Sequence, residues 1–484
     1  MSHLAARRAT DPATRPATRP ATRLAGVLST FLASGPATVA LALLGVAIGA
    51  TDAVAGGMML PVRGVRTVER AGALIAGSDD ADSLWLDPAG LAHLAGDGKV
   101  QLLFDTAYVY QSVDYARIDS GGNHLASVSS QQPGTPIPTI AAALGIGDRL
   151  VLAGGIAAPY AGLHRFADDG SQRYASVSLD GSAFVYVTFG AAYKLTDRLR
   201  VGATVVDVVS KVVSRIALSA CPGQTVCAPE DPDFDALGQD TQTDYFAPSG
   251  SIGVQYDVAP IATLGLAFQA PSKVSATGTF MSRLPSSSFF DGARVVGNRS
   301  ELSLTLPAVI RGGIELHPTP SLRVEAALDT ELWSMHDKIS LKPHDIRIEN
   351  AAGVGTYVVG DIVIPRKYKT SFAPSIGVEW HGPKMMLGGG YSYETAAAPT
   401  GYVSVLTVDA AKHLFGLGGG YEAGGWQIGA SAGVAVLADV HVSPEDARVP
   451  QLTPIRDQPS ELTVNAGSYK SHYLIAGLRF ARAF

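Results

Sequence analysis

The sequence predicts an all-β fold, a 14-stranded antiparallel transmembrane β-barrel. Fourteen runs of alternating apolar and polar residues fill the chain from about Val100 to Phe484, and such alternation places one set of side chains on each face of a strand. The clearest runs exceed the roughly 9–11 residues that a strand needs to cross a bilayer. Charged residues make up 17% of the chain, which is low against roughly 25% in soluble domains.

Residues 1–55 are predicted to be an export signal with an extended, low-complexity N-region. Five arginines between Arg7 and Arg23 precede an uncharged stretch at 24–51 that has an apolar centre. The small residues Ala53-Val54-Ala55 then match a cleavage site, so we expect cleavage after Ala55. The alternative interpretation is a retained transmembrane helix, since the uncharged stretch is long enough to span a bilayer.

Residues 56–98 do not alternate, and we call this segment the hatch. Its sequence Asp87-Pro88-Ala89-Gly90 predicts a helix start, because Asp is favoured at the N-cap and Pro at the first helical position. On the residues alone, this is a plain short helix that precedes the barrel strands of residues 99–484.

Three motifs in the hatch resemble the amino-terminal hatch of the FadL/TodX family of outer-membrane transporters: Arg70-Ala-Gly-Ala73, Asp79-Asp-Ala81 and Asp87-Pro-Ala-Gly-Leu-Ala92. Asp87 stands where the family has Asn. The resemblance implies a mostly helical hatch that plugs the lumen and places Asp87, Pro88, Ala89 and Gly90 on the ligand path. It also implies passive uptake of long-chain fatty acids or other hydrophobic compounds, such as aromatic hydrocarbons, with sideways release into outer-membrane lipid and no cofactor.

Three runs carry specific predictions about which face meets lipid. In the thirteenth, Trp426, Ile428, Val434 and Val436 are predicted to face lipid, and Gln427, Ser431 and Asp439 to face inward. In the eighth, the even-numbered residues from Leu302 to Leu316 form one lipid-facing row. In the fifth, apolar residues shift from odd to even positions after Val205, which predicts a β-bulge.

Charged residues on the other faces of two runs are predicted to point into the lumen, because Arg or Lys facing lipid at mid-membrane costs about 2–4 kcal/mol. They are Arg311, Glu315, Arg323, Glu325, Asp329 and Glu331. The favoured interpretation is a ladder of cross-strand pairs that fixes the barrel interior and the hatch. The functional alternative is a contact for a carboxylate ligand.

The two cysteines, Cys221 and Cys227, flank a polar loop with Pro-Gly between them. In an exported protein this spacing favours a disulfide. The alternative is a metal pair, but no second pair of ligands lies nearby in the sequence, and we expect no metal site.

The chain ends in Phe484, on the same face as Leu474, Leu478 and Phe480. This resembles the terminal-strand signal that the barrel-assembly machinery reads. Arg482 departs from that signal, because an apolar or aromatic residue is usual at its position.

The sequence contains no convincing catalytic motif, so we expect that the protein is not an enzyme. Gly429-Ala-Ser-Ala-Gly433 matches the nucleophile elbow, but it lies within a strand and not at a strand-to-helix turn. The net charge of −6 does not suggest a nucleic-acid partner, and we expect a monomer. The alternative function is a non-specific porin or a surface adhesin. An open porin would conduct polar solutes, whereas a plugged barrel would barely do so.

Overall fold

Fourteen antiparallel strands close into one barrel. The computed structural model describes residues 62–484 except 163, 223–225, 229, 353–354 and 455–460. The predicted export signal lies outside the described residues.

The barrel strands are β1 Val100–Arg117, β2 Thr135–Ile146, β3 Leu150–Ala161, β4 Ala183–Lys194, β5 Leu199–Ser219, β6 Asp235–Asp244 with Pro248–Ala259, β7 Ala262–Gln269 with Ser272–Arg283, β8 Arg299–Leu306 with Val309–Thr319, β9 Leu322–Glu331 with Lys338–His344, β10 Ile362–Pro365 with Ser371–His381, β11 Met385–Glu394, β12 Lys412–Ala423, β13 Trp426–Leu437 with Val440–Val442, and β14 Gly467–Ala483. Each pairs with its neighbours in the chain, and β14 pairs with β1 from Ala483 opposite Gln101 to Gly467 opposite Arg117. Closure gives the outermost strands backbone partners, which lipid cannot supply. The predicted fold class is confirmed.

Short helices precede the barrel and cap its loops. The hatch contains the α-helix α1 at Val65–Glu69 and two 3₁₀ helices at Ala81–Leu84 and Pro88–Leu94. Loop 3₁₀ helices lie at Pro232–Phe234, Ser288–Phe290, Trp333–Met335 and Thr400–Tyr402, and short loop strands at Val128–Ser129, Arg294–Val296, Arg347–Ala351 and Gly355–Val358. Among the described residues, no helix is both long and apolar enough to cross a membrane.

The predicted lipid-facing row of β8 is wrong in its upper half. Ile310 is 39% exposed on the outer face, but Leu304 is only 6% exposed and faces the lumen. Between them, Pro307-Ala308 interrupts β8 directly beside Ala270-Pro271 of β7. Because proline has no N–H for the ladder, both strands break at this level and their faces switch.

The predicted bulge in β5 is also wrong. Residues 199–219 form one continuous strand whose even-numbered residues point inward, including Thr204 and Val206. The one-residue register shift lies on β6 instead, between Ser210 opposite Asp244 and Asp207 opposite Pro248. What changes along β5 is the environment inside the barrel, since the inward residues become apolar above the hatch.

In β13 the register is as predicted through Val436. Trp426, Ile428 and Val436 are exposed on the outer face, and Ser431 is buried on the inner face. The prediction for Asp439 is wrong, because its carboxylate lies outside and pairs with Lys470 at 3.3 Å. The strand is interrupted at 438–439, and the pairing with β14 shifts by one residue there.

The last strand presents an apolar outer face that includes Leu474, Leu478 and Phe480. Arg482 also lies at this end, and its guanidinium stacks 4.9 Å from the Trp426 ring and 5.0 Å from the Phe484 ring. A cation over aromatic faces is attracted by their quadrupoles. This stacking explains how an arginine is accommodated where an apolar residue is usual.

The loop after β5 holds Cys221 and Cys227, whose sulfur atoms are bonded with a Cα–Cα separation of 5.9 Å. Phe234 packs against both cysteines. The described part of this loop is therefore held by a covalent link and a small apolar cluster.

The switch of faces in β8 predicts opposite labelling of two residues of the same parity. Ile310→Cys should react with a lipid-soluble maleimide in membranes, because its side chain faces outward, whereas Leu304→Cys should not. Labelling is read by mass spectrometry, with the native cysteines as an unreactive internal control. Equal labelling of both variants would contradict the switch.

Candidate functional site: a plugged lumen with an apolar upper chamber

The hatch fills the lower lumen and packs closely on the barrel wall. Val65, Val68 and Ile75 of the hatch have no solvent-exposed surface. Where the hatch touches the wall, the wall carries glycine: a Cβ at Gly416 would overlap the Val68 carbonyl, and one at Gly390 would overlap Arg70. Missing side chains therefore make room for the hatch backbone.

Asp87 begins the second 3₁₀ helix, as the Asp-Pro sequence predicts. Its Oδ1 accepts a hydrogen bond from the Ala89 N–H at 2.9 Å, and Pro88 occupies the first helical position. Both residues rest on glycines, because a Cβ at Gly202 of β5 or Gly253 of β6 would overlap them. Ala89 is fully buried, and Gly90 lies against Ser78.

Burial raises the pKa of the Asp87 carboxyl well above its usual range, although the hydrogen bond from Ala89 opposes the shift. A carboxyl that keeps its proton is neutral and has nearly the shape of asparagine. The departure from the family Asn therefore preserves the capping hydrogen bond, and the raised pKa favours the neutral form of the carboxyl.

Buried ion pairs tie the hatch to β8 and β9. Arg70 donates to Glu315 at 2.7 Å and to Glu325 at 2.9 Å. Glu325 also accepts hydrogen bonds from the backbone N–H groups of residues 75–77. Arg323 reaches Asp79 at 2.7 Å and the Gly77 carbonyl at 2.6 Å. Three of the six predicted lumen charges thus bind the hatch.

The other three predicted lumen charges bond to the barrel itself. Arg311 donates to Gln269 at 3.3 Å and lies 3.7 Å from Asp329. Glu331 accepts a hydrogen bond from the Trp333 indole. All six charged side chains lie on the inner face, where they satisfy one another or the hatch.

A second part of the network ties the hatch to other strands, and the sequence analysis missed it. Arg66 contacts Asp79, Asp80 and Glu379, and Arg479 contacts Asp80 and Asp105. The sequence did contain a pattern that predicts an inward-facing charge here. Glu379 alternates with Val378 and Trp380, just as Glu315 alternates with apolar neighbours.

Above the hatch, the lumen encloses an apolar cavity of about 100 Å³. Its lining includes Phe184, Phe280, Leu302, Leu304 and Ile362 from the upper strands, with Leu406 and Leu452 from the loops. The lining residues contain no Arg, Lys or His within the part of the chain that the structure describes. The sequence analysis missed this cavity, because it interpreted the inward row of β8 as lipid-facing.

Tyr160 forms one wall of the cavity at the top of β3. Its ring lies 5.9 Å from Phe184, 6.2 Å from Tyr186 and 6.3 Å from Trp333. Just before it, Ala158-Pro159 interrupts the pairing of β3 with β4. The aromatic cluster therefore lies beside an irregular part of the barrel wall.

The ladder between β2 and β3 ends early. It runs from Ile146 opposite Leu150 to Thr139 opposite Ala157, whereas β2 remains paired with β1 up to Thr135. Pro136 and Pro138 lie on this upper part of β2 and have no N–H to donate. Residues 135–138 of β2 thus face β3 without backbone pairing to it.

A closed barrel with an internal plug and an apolar chamber is the architecture of an outer-membrane channel for hydrophobic compounds, and transporters of this type are non-enzymatic channels. The family model described as outer membrane protein transport protein (OMPP1/FadL/TodX) matches residues 46–475. The chain belongs to this family, as its hatch motifs predict.

Solved structures share the fold at low sequence identity. A FadL homologue from Pseudomonas aeruginosa is 16% identical, with 88% of this chain and 99% of that chain covered and a TM-score of 0.71. The toluene transporter TbuX from Ralstonia pickettii is 16% identical (87% and 100% covered, TM-score 0.57). The toluene transporter TodX from P. putida is 15% identical (90% and 99% covered, TM-score 0.56). A search of curated protein sequences found no match.

The raised pKa of Asp87 predicts a specific pH dependence. As pH rises above about 4, the unfolded state loses this proton while the folded state keeps it. The carboxyl therefore disfavours the folded hatch increasingly until pH reaches its folded pKa. Asp87→Asn should lack this loss, so its Tm relative to wild type should increase from pH 4 to pH 8. A Tm difference that does not vary with pH would contradict the neutral carboxyl.

Glu325→Ala should loosen the hatch, because it removes one carboxylate partner of Arg70 and the acceptor for three backbone N–H groups. Breaking a buried ion pair by removing one partner costs about 3–5 kcal/mol. We expect frequent open-channel currents for small ions in planar bilayers, where wild type stays closed. Asp329→Asn is the matched control, since Asp329 pairs with Arg311 of the barrel. Closed Glu325→Ala channels with a folded barrel would contradict this role.

Proposed function

We propose that hydrophobic molecules enter the apolar cavity from outside and leave sideways between β2 and β3 into the bilayer. The movement is passive diffusion down a concentration gradient. The observation that carries the proposal is the early end of the β2–β3 ladder beside the aromatic wall of the cavity.

The inner surface beside the unpaired upper ends of β2 and β3 is apolar, which supports this exit route. Ile137 of β2 and Ala158 of β3 belong to one buried cluster with Val62, Val68 and Ala71 of the hatch. A hydrophobic molecule that passes Tyr160 would therefore meet apolar side chains until it reaches lipid. The favourable transfer of its surface out of water provides the affinity for each step.

The hatch motif enters this proposal as the floor of the route. Asp87, Pro88, Ala89 and Gly90 lie packed on β5 and β6 and block the lumen below. A straight path to the periplasm is thus closed, and we infer that the plug directs ligands toward the wall. The same closure argues against an open porin.

The substrates belong to the hydrophobic compounds that the family carries, and the toluene transporters TbuX and TodX share the fold. We propose compact hydrophobic molecules of this kind, or the tails of longer ones, as cargo. The apolar end of β14 is proposed as the contact for the barrel-assembly machinery, and the protein is proposed to act as a monomer in outer-membrane lipid.

Restoring backbone donors in β2 should slow the sideways exit. The double variant Pro136→Val and Pro138→Val regains two N–H groups and should extend the β2–β3 ladder, which hydrogen exchange of residues 136–139 would detect. We expect uptake of toluene into cells to fall several-fold, while binding to the purified protein is unchanged.

Pro383→Val in a periplasmic turn is the matched control, and its uptake should equal that of wild type. Unchanged uptake in a double variant whose ladder has been extended would exclude exit between β2 and β3. Absence of toluene binding by the wild-type protein would exclude compact aromatic molecules as cargo.

A further inference from the structure

Among the described residues that line the apolar cavity, Asp240 provides the one carboxyl group. This residue lies on the upper segment of β6, opposite Ser214 of β5 and Phe280 of β7. It is 5% exposed and forms part of the cavity wall. The other polar side chains of the described lining are the hydroxyls of Tyr160, Ser182 and Ser214. A buried carboxylate is costly unless a donor compensates it.

The protein compensates this group only in part. Asp240 Oδ1 accepts a hydrogen bond from Gln242 Nε2 at 2.6 Å. Asp240 Oδ2 accepts none from the described residues, and neither does the buried Gln242 Oε1. The Ser300 hydroxyl, which accepts the second Gln242 hydrogen bond, is a further polar group near the carboxyl. Asp240 Oδ2 and Gln242 Oε1 therefore have no donor at hydrogen-bond geometry among the described residues, and the Ser300 hydroxyl is the nearby group with which a ligand donor at the carboxyl would compete.

We infer that Asp240 is a specificity-determining residue that selects neutral hydrophobic molecules carrying a hydroxyl donor, such as alkylphenols, over hydrophobic carboxylates. The inference rests on the proposed function and names the substrate class of the same chamber. A ligand hydroxyl at Asp240 Oδ2 would supply the missing donor. The body of the ligand would then lie against Phe280, Leu302 and Leu304.

The negative charge of Asp240 also favours a hydroxyl ligand over a carboxylate ligand. A carboxylate ligand in this cavity would place a second negative charge near Asp240, and like charges repel strongly in an environment of low polarity. The described lining offers no Arg, Lys or His to offset that repulsion. A hydroxyl carries no charge, so it can meet the acceptor without this penalty.

Size limits the ligand as well. A dry apolar cavity of about 150 Å³ is known to hold a benzene ring, and the cavity here is about 100 Å³. The enclosed volume is therefore smaller than the one that holds benzene, so an aromatic ligand would fill it and extend partly out of it. Longer chains would extend out of it.

Three ligands that share a methylphenyl body and differ in the group opposite the methyl test the inference: 4-methylphenol, toluene and 4-methylbenzoate. Binding to the full protein in nanodiscs is measured by ligand-detected NMR, with empty nanodiscs as the blank. We expect 4-methylphenol to bind about tenfold more tightly than toluene, as a hydrogen bond to a charged group provides. We expect 4-methylbenzoate to bind more weakly than toluene.

Two variants assign the preference to one side chain. Asp240→Leu should bring the affinities for 4-methylphenol and toluene close together, and Asp240→Asn should improve binding of 4-methylbenzoate relative to wild type. Asp361→Asn, at an exposed loop position, is the matched control and should keep the wild-type order. Barrel folding is checked by heat-modified gel mobility. If Asp240→Leu fails to fold, the affinity of Asp240→Asn for 4-methylbenzoate relative to wild type decides whether Asp240 sets the preference.

The outcomes separate this inference from the proposed function. Preference for 4-methylbenzoate in wild type, or an unchanged preference for 4-methylphenol in Asp240→Leu, would overturn the role of Asp240 and leave the channel function standing. Failure of all three ligands to bind would overturn both. A fourth ligand, the cation 4-methylbenzylamine, is measured in the same way. Its tight binding, with no preference for 4-methylphenol over toluene, would also overturn the hydroxyl assignment, since it would show a site for cations.

Discussion

Backbone pairing in lipid is the constraint on which this structure depends. A strand in a bilayer must find partners for its N–H and C=O groups, because lipid offers none. The ring of β-strands meets this demand all the way to the seam between β1 and β14. Against that background, the early end of the ladder between β2 and β3 is informative. A break in pairing is costly in lipid, and prolines at positions 136 and 138 build it into the sequence.

The barrel has two zones that differ in where the apolar residues lie. In the lower zone the outer face is apolar and the inner face carries the charges and glycines that receive the hatch. In the upper zone the inner faces of β5 and β8 are apolar, as Val206 and Leu304 show. This inversion creates a mostly apolar chamber above a polar floor. The buried Arg–carboxylate pairs of that floor fix the position of the hatch, and the chamber provides the affinity for hydrophobic molecules.

Alternation in the sequence predicted the strands and the hatch, because lipid imposes a period of two on one face and the hatch escapes it. It could not predict the chamber, because alternation shows that two faces differ without showing which one meets lipid. Leu302 and Ile310 have the same parity, yet the break at Pro307 turns them to opposite sides. The prediction that Asp439 faces inward failed for the same reason, since a one-residue shift in pairing at 438–439 changed the face on which it lies. The hatch contacts of Arg479 and Glu379 were readable from alternation, whereas the unpaired oxygen of Asp240 depends on neighbouring strands and was not.

The seam has a consequence for how the molecule is made. Arg479 on β14 and Asp105 on β1 meet across the seam at 3.1 Å, and the hatch completes both, through Asp80 to Arg479 and through the Val65 N–H to Asp105. The first and last strands to leave the ribosome are thus joined around a segment synthesised before either. Ring closure and docking of the hatch therefore share the same side chains, and each stabilises the other. Without the hatch, Arg479 and Asp105 would have fewer partners at the seam. The free energy of closing the barrel therefore includes a contribution from the hatch.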